Sequence, residues 1–311
     1  MSERDKRQKG SPHSSAHLGA QREHWWNNDF LALLGQRMRN AVHGEVKTML
    51  DVGAGKCHWT AITARWFPNL ERVVASDVED IWARDAQKHF AERYGPHTFK
   101  VEGADADALE LPFPDDLFDF VTCQTVLMHV ADAEVALREM VRVTRPGGVV
   151  CVAEPANFRN VLELDSAALG LGLETQARRM RLWLACRLGR ARLGDPDFDV
   201  GERLAPLMQK AGLEGVRVVM NDRVRGLAPP YDTAEQKSLL AYLDANIEAL
   251  LSPAGRLAIL RLATAGGMHP DELKRHMEDE ATHAALRRSQ VQSGRYYLGG
   301  APDMFIAWGN R

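Results

Sequence analysis

The stretch Thr48-Met49-Leu50-Asp51-Val52-Gly53-Ala54-Gly55-Lys56-Cys57-His58-Trp59 decides the fold. A short apolar run ends in an aspartate, glycine returns at Gly53 and Gly55, and helix-compatible sequence follows. Glycines at those positions permit a tight strand-to-helix turn and let a ligand lie against bare backbone. The helix that opens after them aims free N–H groups and a positive dipole end at whatever occupies the turn. A G-x-G alone is a weak motif, because many strand-to-helix turns use glycine for geometry only.

Outward from this turn the chain alternates strand and helix. Strands are expected at Val46–Asp51, Arg72–Asp77, Thr98–Glu102, Phe118–Cys123 and Val149–Glu154, with Gly147 and Gly148 turning the chain into the fifth. Helices are expected at His58–Trp66, Glu79–Tyr94 and Asp132–Val143. Strands separated by helix-length segments imply a parallel sheet with right-handed crossovers. The second strand ends in Asp77, about 20 residues beyond the turn, the spacing at which an acid accepts ribose hydroxyls across the crevice. The competing reading makes Asp77 the N-cap of the helix that follows.

Further on come Asp105-Ala106-Asp107-Ala108-Leu109-Glu110-Leu111-Pro112-Phe113, then Gln124-Thr125-Val126-Leu127-Met128-His129-Val130-Ala131-Asp132. Arg145-Pro146-Gly147-Gly148 precedes the fifth strand and Glu154-Pro155 closes it. With these five ordered motifs the chain resembles the class I S-adenosylmethionine-dependent methyltransferases. It is most similar to the small-molecule branch that includes the ubiquinone and menaquinone biosynthesis methyltransferases. The resemblance covers residues 46–155 well and the last two strands more loosely. It implies a Rossmann-like α/β fold with seven strands in the order 3-2-1-4-5-7-6, the last antiparallel, and S-adenosylmethionine as cofactor.

Position by position, the resemblance puts Asp51, Gly53, Gly55 and Cys57 at the methionine-binding turn and Asp77, with Val78 beside it, at the ribose. Asp107 and the Ala108 backbone N–H would meet the adenine, and Gln124 the floor near the methyl group. Two positions depart from the family pattern: Cys57 stands where a third glycine is usual, and Met128 replaces the first histidine of an L-H-H-V segment, leaving His129 as the imidazole there. A nicotinamide dinucleotide is the alternative ligand for such a fold. It fits less well, because that site wants the third glycine and a second phosphate to hold.

Methyl transfer from a sulfonium gains mainly from placement. A hydroxyl, carbon acid or ammonium acceptor also needs a base. His129 and Glu154 are the candidates, the latter because the carboxyl end of the fifth strand faces the ligand crevice. His129 could equally be bonded to backbone at the start of the next helix. The expected activity is methyl transfer to a small metabolite, oxygen or carbon being favoured over nitrogen as acceptor. A protein or RNA methyltransferase and a non-methylating relative of the fold are the alternatives.

The rest of the chain bounds this reading. Residues 1–20 are polar and read as a flexible tail rather than a signal peptide. Residues 21–45 read as an N-terminal helix over the active site, with Trp25 and Trp26 either packing or contacting substrate. The core (46–155) is followed by a helical insertion (156–200), a core helix and sixth strand (201–225), a helical cap (226–300) and a seventh strand (301–311). Phe158, Tyr296 and Tyr297 are candidate substrate contacts in the insertions, with packing as the competing role. Arg178, Arg179, Arg181, Arg187, Arg190 and Arg192 form a basic run that suits either an acidic surface or intramolecular pairing.

A net charge of −3 argues against a nucleic-acid partner. The cysteines Cys57, Cys123, Cys151 and Cys186 form no C-x-x-C and imply reduced thiols without a metal site. No apolar run is long enough to insert stably in a membrane. A cytoplasmic enzyme is expected, and a homo-oligomer is compatible with the sequence.

Overall fold

The structure, a computed structural model, describes residues 22, 24–160, 165–224, 226–300 and 304–311. The tail expected at 1–20 and residues 301–303 of the expected seventh strand lie outside them. In chain order the elements are α1 (Asn28–Ala41), β1 (Thr48–Val52), α2 (His58–Ala64), β2 (Arg72–Asp77), α3 (Asp80–Tyr94), β3 (Lys100–Asp105) and β4 (Phe118–Gln124). There follow α4 (Ala133–Val143), β5 (Thr144–Pro155), α5 (Asn157–Asn160), α6 (Ser166–Leu169), α7 (Leu173–Leu193), α8 (Leu204–Lys210) and β6 (Glu214–Met220). The last elements are α9 (Ala234–Leu251), α10 (Pro253–Ala265), α11 (Pro270–Gln292) and β7 (Met304–Asn310).

The strands form one seven-stranded sheet in the order β3-β2-β1-β4-β5-β7-β6, mixed, with the last strand antiparallel. β1 is central and parallel to both neighbours, Leu50 lying opposite Val74 of β2 and Val121 of β4. Val73, Val74, Phe120, Val121 and the run Val149–Ala153 are all buried, as expected of parallel strands covered on both faces. The chain leaves β1 in one direction through β2 and β3, then returns to its other side as β4. That reversal opens a crevice at the carboxyl ends of β1 and β4, where open α/β sheets bind ligands.

The N-terminal helix begins later than the apolar spacing suggests. Asn27 is extended (φ −89°, ψ 140°) at the N-cap of α1, so Trp25 and Trp26 precede the helix. β5 begins at Thr144, so Arg145-Pro146-Gly147-Gly148 belongs to the strand rather than to a turn before it.

The chain divides into two compact units. The first takes in the chain as far as Glu154, with Arg203–Val219 and Phe305–Arg311. The second is Pro155–Glu202 with Met220–Met304, so the two stretches read from sequence as separate insertions fold together. Its core joins Leu182, Ala185 and Cys186 of α7 to Ile259, Leu262 and Ala263 of α10. The contact depends on missing side chains: a Cβ on Gly189 would lie 1.8 Å from the Leu262 carbonyl oxygen, and one on Gly266 would lie 1.9 Å from that of Ala185.

The basic run on α7 is consumed inside this unit. Arg178 pairs with Asp279 at 2.6 Å, Arg179 with Glu280 at 2.8 Å, Arg181 with Glu272 at 3.0 Å, and Arg187 with Asp199 at 2.6 Å. A buried polar chain continues from there. Arg179 Nη2 lies 3.2 Å from His283 Nδ1, His283 Nε2 lies 3.0 Å from Asp165, and the Tyr296 hydroxyl donates to Asp165 at 2.9 Å. Burial works to raise the Asp165 carboxyl, but His283, the Ala168 N–H and Tyr296 together hold it below its ordinary value.

Replacing Gly189 by alanine should therefore force α7 from α10 and destabilise the protein by about 1–3 kcal/mol, the usual cost of overpacking. A urea unfolding midpoint unchanged from wild type would contradict this packing.

Candidate active site

The turn after β1 has an unusual backbone. Gly53 (φ 69°), Gly55 (φ 50°) and Cys57 (φ 57°) are all left-handed. A Cβ at Gly53 would sit 2.4 Å from Val126 Cγ2, so only glycine fits there. Asp77, at the end of β2, ties the turn down: Oδ2 accepts from the Gly55 N–H at 2.9 Å and Oδ1 from the Glu79 N–H at 3.0 Å. Burial, the largest influence, raises the Asp77 carboxyl above its ordinary value.

Cys57 has the backbone of the usual glycine and a cost to match. A left-handed non-glycine residue gives up about 1 kcal/mol. Its thiol is fully buried and lies 3.5 Å from the Ala86 carbonyl of α3. Burial pushes the Cys57 thiol up to about 12, so the group is a neutral packing element. All four cysteines are free and buried.

Beneath the turn lies a set of buried polar groups. Asp51 is 1% exposed; its Oδ2 accepts from the Thr60 hydroxyl at 2.5 Å while Oδ1 has no partner. Glu154, at the end of β5, is 0% exposed; its Oε1 accepts from the Val126 and Leu127 N–H groups at 2.8 and 2.7 Å, and Oε2 has no partner. Burial raises both carboxyls to about 7. The Gln124 carboxamide makes no full hydrogen bond and has the His58 imidazole as its neighbour. Burial, then the charges of Arg93 and Arg22, bring His58 down to about 3, so that ring is neutral. Thr125 (φ 55°) is a left-handed residue between Gln124 and the peptide that Glu154 holds, and strain of this kind gathers at functional sites.

The remaining candidates fall in several places. Asp107 accepts from the Leu109 N–H at 2.9 Å within its own turn, and Ala108 beside it is buried. Val78, past Asp77, is 54% exposed. His129 is exposed on the turn after β4, its N–H donating to Val126 O at 2.9 Å. Trp25 is half-buried under the guanidinium of Arg22. Trp26 is buried against Trp59, ring centroids 5.1 Å apart, and the Trp59 indole donates to Thr122 at 2.7 Å. In the second unit Phe158 lies beneath Arg187, Tyr296 is buried with its hydroxyl on Asp165, and Tyr297 is half exposed. Arg22 and His58 carry no signal in the sequence that marks them for the site. Arg22 lies far from the turn along the chain, and His58 has the spacing of an ordinary helix residue.

Orphaned buried oxygens on Asp51 and Glu154 call for a positively charged or donor-rich ligand. A sulfonium-bearing amino-acid tail has that character, and a left-handed glycine turn tied to a ribose-spacing acid has the shape of a nucleoside cradle. Among the described residues no three His, Cys, Asp or Glu gather as metal ligands.

The fold and crevice are of the seven-stranded methyltransferase type, and the sequence comparisons agree. A family model described as a methyltransferase domain matches residues 50–152. The demethylmenaquinone methyltransferase of Halalkalibacterium halodurans is 35% identical over 214 residues, which is 65% of this chain and 78% of that protein. A ubiquinone/menaquinone biosynthesis C-methyltransferase of Enterobacter sp. is 37% identical over 108 residues, 35% of this chain and 42% of the relative. Among solved structures, the YcgJ protein of Bacillus subtilis has a TM-score of 0.48 at 18% identity, covering 92% of this chain and 99% of that one. A SAM-dependent methyltransferase of Aquifex aeolicus has a TM-score of 0.45 at 18% identity, covering 68% and 94%. The chain belongs to the class I S-adenosylmethionine-dependent methyltransferases, and S-adenosylmethionine is its cofactor.

The two raised carboxyls carry a sign. Their folded-state values of about 7 exceed the unfolded values of about 4, so the folded state holds more protons between those limits. Stability without cofactor is accordingly greatest below about pH 4 on this account and falls as pH rises toward 7. Replacing Glu154 by glutamine should flatten the fall in melting temperature across about pH 4 to 7. An unchanged slope would show that Glu154 does not titrate there.

Proposed function

We propose that this enzyme transfers the methyl group of S-adenosylmethionine to a carbon or oxygen atom of a small, partly apolar, ring-bearing acceptor. The observation that carries the proposal is Glu154. It is a buried carboxyl at the carboxyl end of β5, raised to about 7, with one oxygen held by two amides and the other without a partner. A base of that strength suits an acceptor whose hydroxyl or ring must give up a proton near neutral pH. The relatives support the same chemistry, one being named a C-methyltransferase of quinone biosynthesis and another a demethylmenaquinone methyltransferase.

In this reading Gly53, Gly55 and Cys57 form the backbone cradle for the methionine end, with Asp51 below it. Asp77, flanked by Val78, takes the ribose. Asp107 and the Ala108 N–H take the adenine, and Gln124 with His58 borders the reacting methyl group. The cofactor supplies an electrophilic methyl group on a sulfonium. The protein's part is to place the acceptor in line with it, exclude water, and hold the acceptor's proton on Glu154 Oε2. A positive charge nearby favours the ionised carboxylate, so the base is readied when the site is loaded. His129, exposed on its turn, is the second candidate for this proton. Trp25, half-buried beside Arg22, is the aromatic contact for the acceptor.

The test is a screen of quinols, phenols and enolisable ketones with S-adenosylmethionine, reading S-adenosylhomocysteine release and the mass of the methylated product. Glu154→Gln should lower kcat by about 10²–10⁴-fold, the usual worth of a general base. His129→Asn should cost far less. The reverse order would move the base to His129, and methylation confined to RNA or protein would overturn the small-molecule reading.

A further inference from the structure

The N-terminal segment brings a cation to this site from far away in sequence. Arg22 Nη2 donates to the Thr125 hydroxyl at 3.0 Å, and its guanidinium lies over the Trp25 ring, 5.1 Å from the centroid. Thr125 is the left-handed residue between Gln124 and Val126. Val126 in turn gives its N–H to Glu154 and presses its side chain on Gly53. The guanidinium is thus anchored on the short peptide after β4, whose Val126 packs against the glycine turn. Burial, the largest influence, lowers Arg22 to about 10, and it stays charged at neutral pH. Its charged surroundings are Glu154 and Asp51, which attract it, and Arg93, which repels it. Arg93 is tied elsewhere, its Nε donating to Lys56 O at 2.8 Å.

The charges of the cofactor tail make this placement informative. S-adenosylmethionine carries a sulfonium, an α-ammonium and one α-carboxylate. Asp51 and Glu154, each with an unpartnered oxygen, suit the two cations. They would repel the carboxylate, which can lie at this end only if a cation meets it there. A planar guanidinium is the side chain best matched to a carboxylate, through two parallel hydrogen bonds. From these observations we propose that Arg22 binds the α-carboxylate of S-adenosylmethionine, so that the segment before α1 completes the methionine end of the cofactor site.

The experiment is calorimetric titration of the full chain with S-adenosylmethionine and with decarboxylated S-adenosylmethionine, which lacks only the carboxylate. Arg22→Met should weaken S-adenosylmethionine by about 10–100-fold, the worth of a charged hydrogen-bonded contact, and change the decarboxylated analogue by less than about 3-fold. Arg22→Lys should recover part of the loss. Retained analogue binding in Arg22→Met reports that the site is still folded. Equal weakening of both ligands would assign Arg22 a merely structural role. Tighter S-adenosylmethionine binding by Arg22→Met would show instead that the guanidinium stands in for the cofactor's own positive charge. Either result, or no change, overturns the proposal.

Discussion

The hydrogen bond from the Gly55 N–H to the Asp77 carboxylate at 2.9 Å ties the glycine turn after β1 to the end of β2. The turn after β1 is left-handed at Gly53, Gly55 and Cys57, a conformation that ordinary residues resist. It persists because its surroundings determine it. Asp77 holds the middle, Val126 lies where a Cβ on Gly53 would be, and the Cys57 thiol is buried against α3. Release of any one would let the turn relax and blur the cradle. The acid expected to meet a ribose is also the acid that shapes the turn.

Below that turn the protein keeps polar groups that its own fold leaves unsatisfied. Asp51 Oδ1, Glu154 Oε2 and the Gln124 carboxamide are buried without hydrogen-bond partners, each at a cost to folding of about 1–3 kcal/mol. Raised carboxyls are the same cost seen as protonation: the charged forms are disfavoured until a cation arrives. A methyltransferase has reason to bear it, since its cofactor brings the positive charge. Stability is given up at the site and returned on binding.

The second unit shows how charge can mislead a linear reading. The arginines of α7 look like a basic face, yet four of them pair with acids of the same unit. Their partners Asp279, Glu280 and Glu272 lie on α11, about a hundred residues downstream. Tyr296 follows the same rule. It reads as a candidate ligand aromatic, but its hydroxyl is committed to Asp165 and its ring is buried. No window along the chain could show either pairing.

The sequence by itself determined a parallel α/β sheet, through local signals: apolar runs of strand length, a glycine turn and an acid at ribose spacing. The strand order and the cofactor class came from the family resemblance that its ordered motifs carry. Arg72–Asp77 is legible to the residue, because charge marks both its ends and Val73, Val74 and Ala75 make an apolar run between them. Tertiary structure alone decided which polar groups are left without partners, which arginines are spent on ion pairs, and that the two insertions fold as one unit. It also brought Arg22 onto Thr125, a contact between residues 103 apart. Hydrogen bonding and desolvation depend on distance in space, and only the folded chain sets those distances.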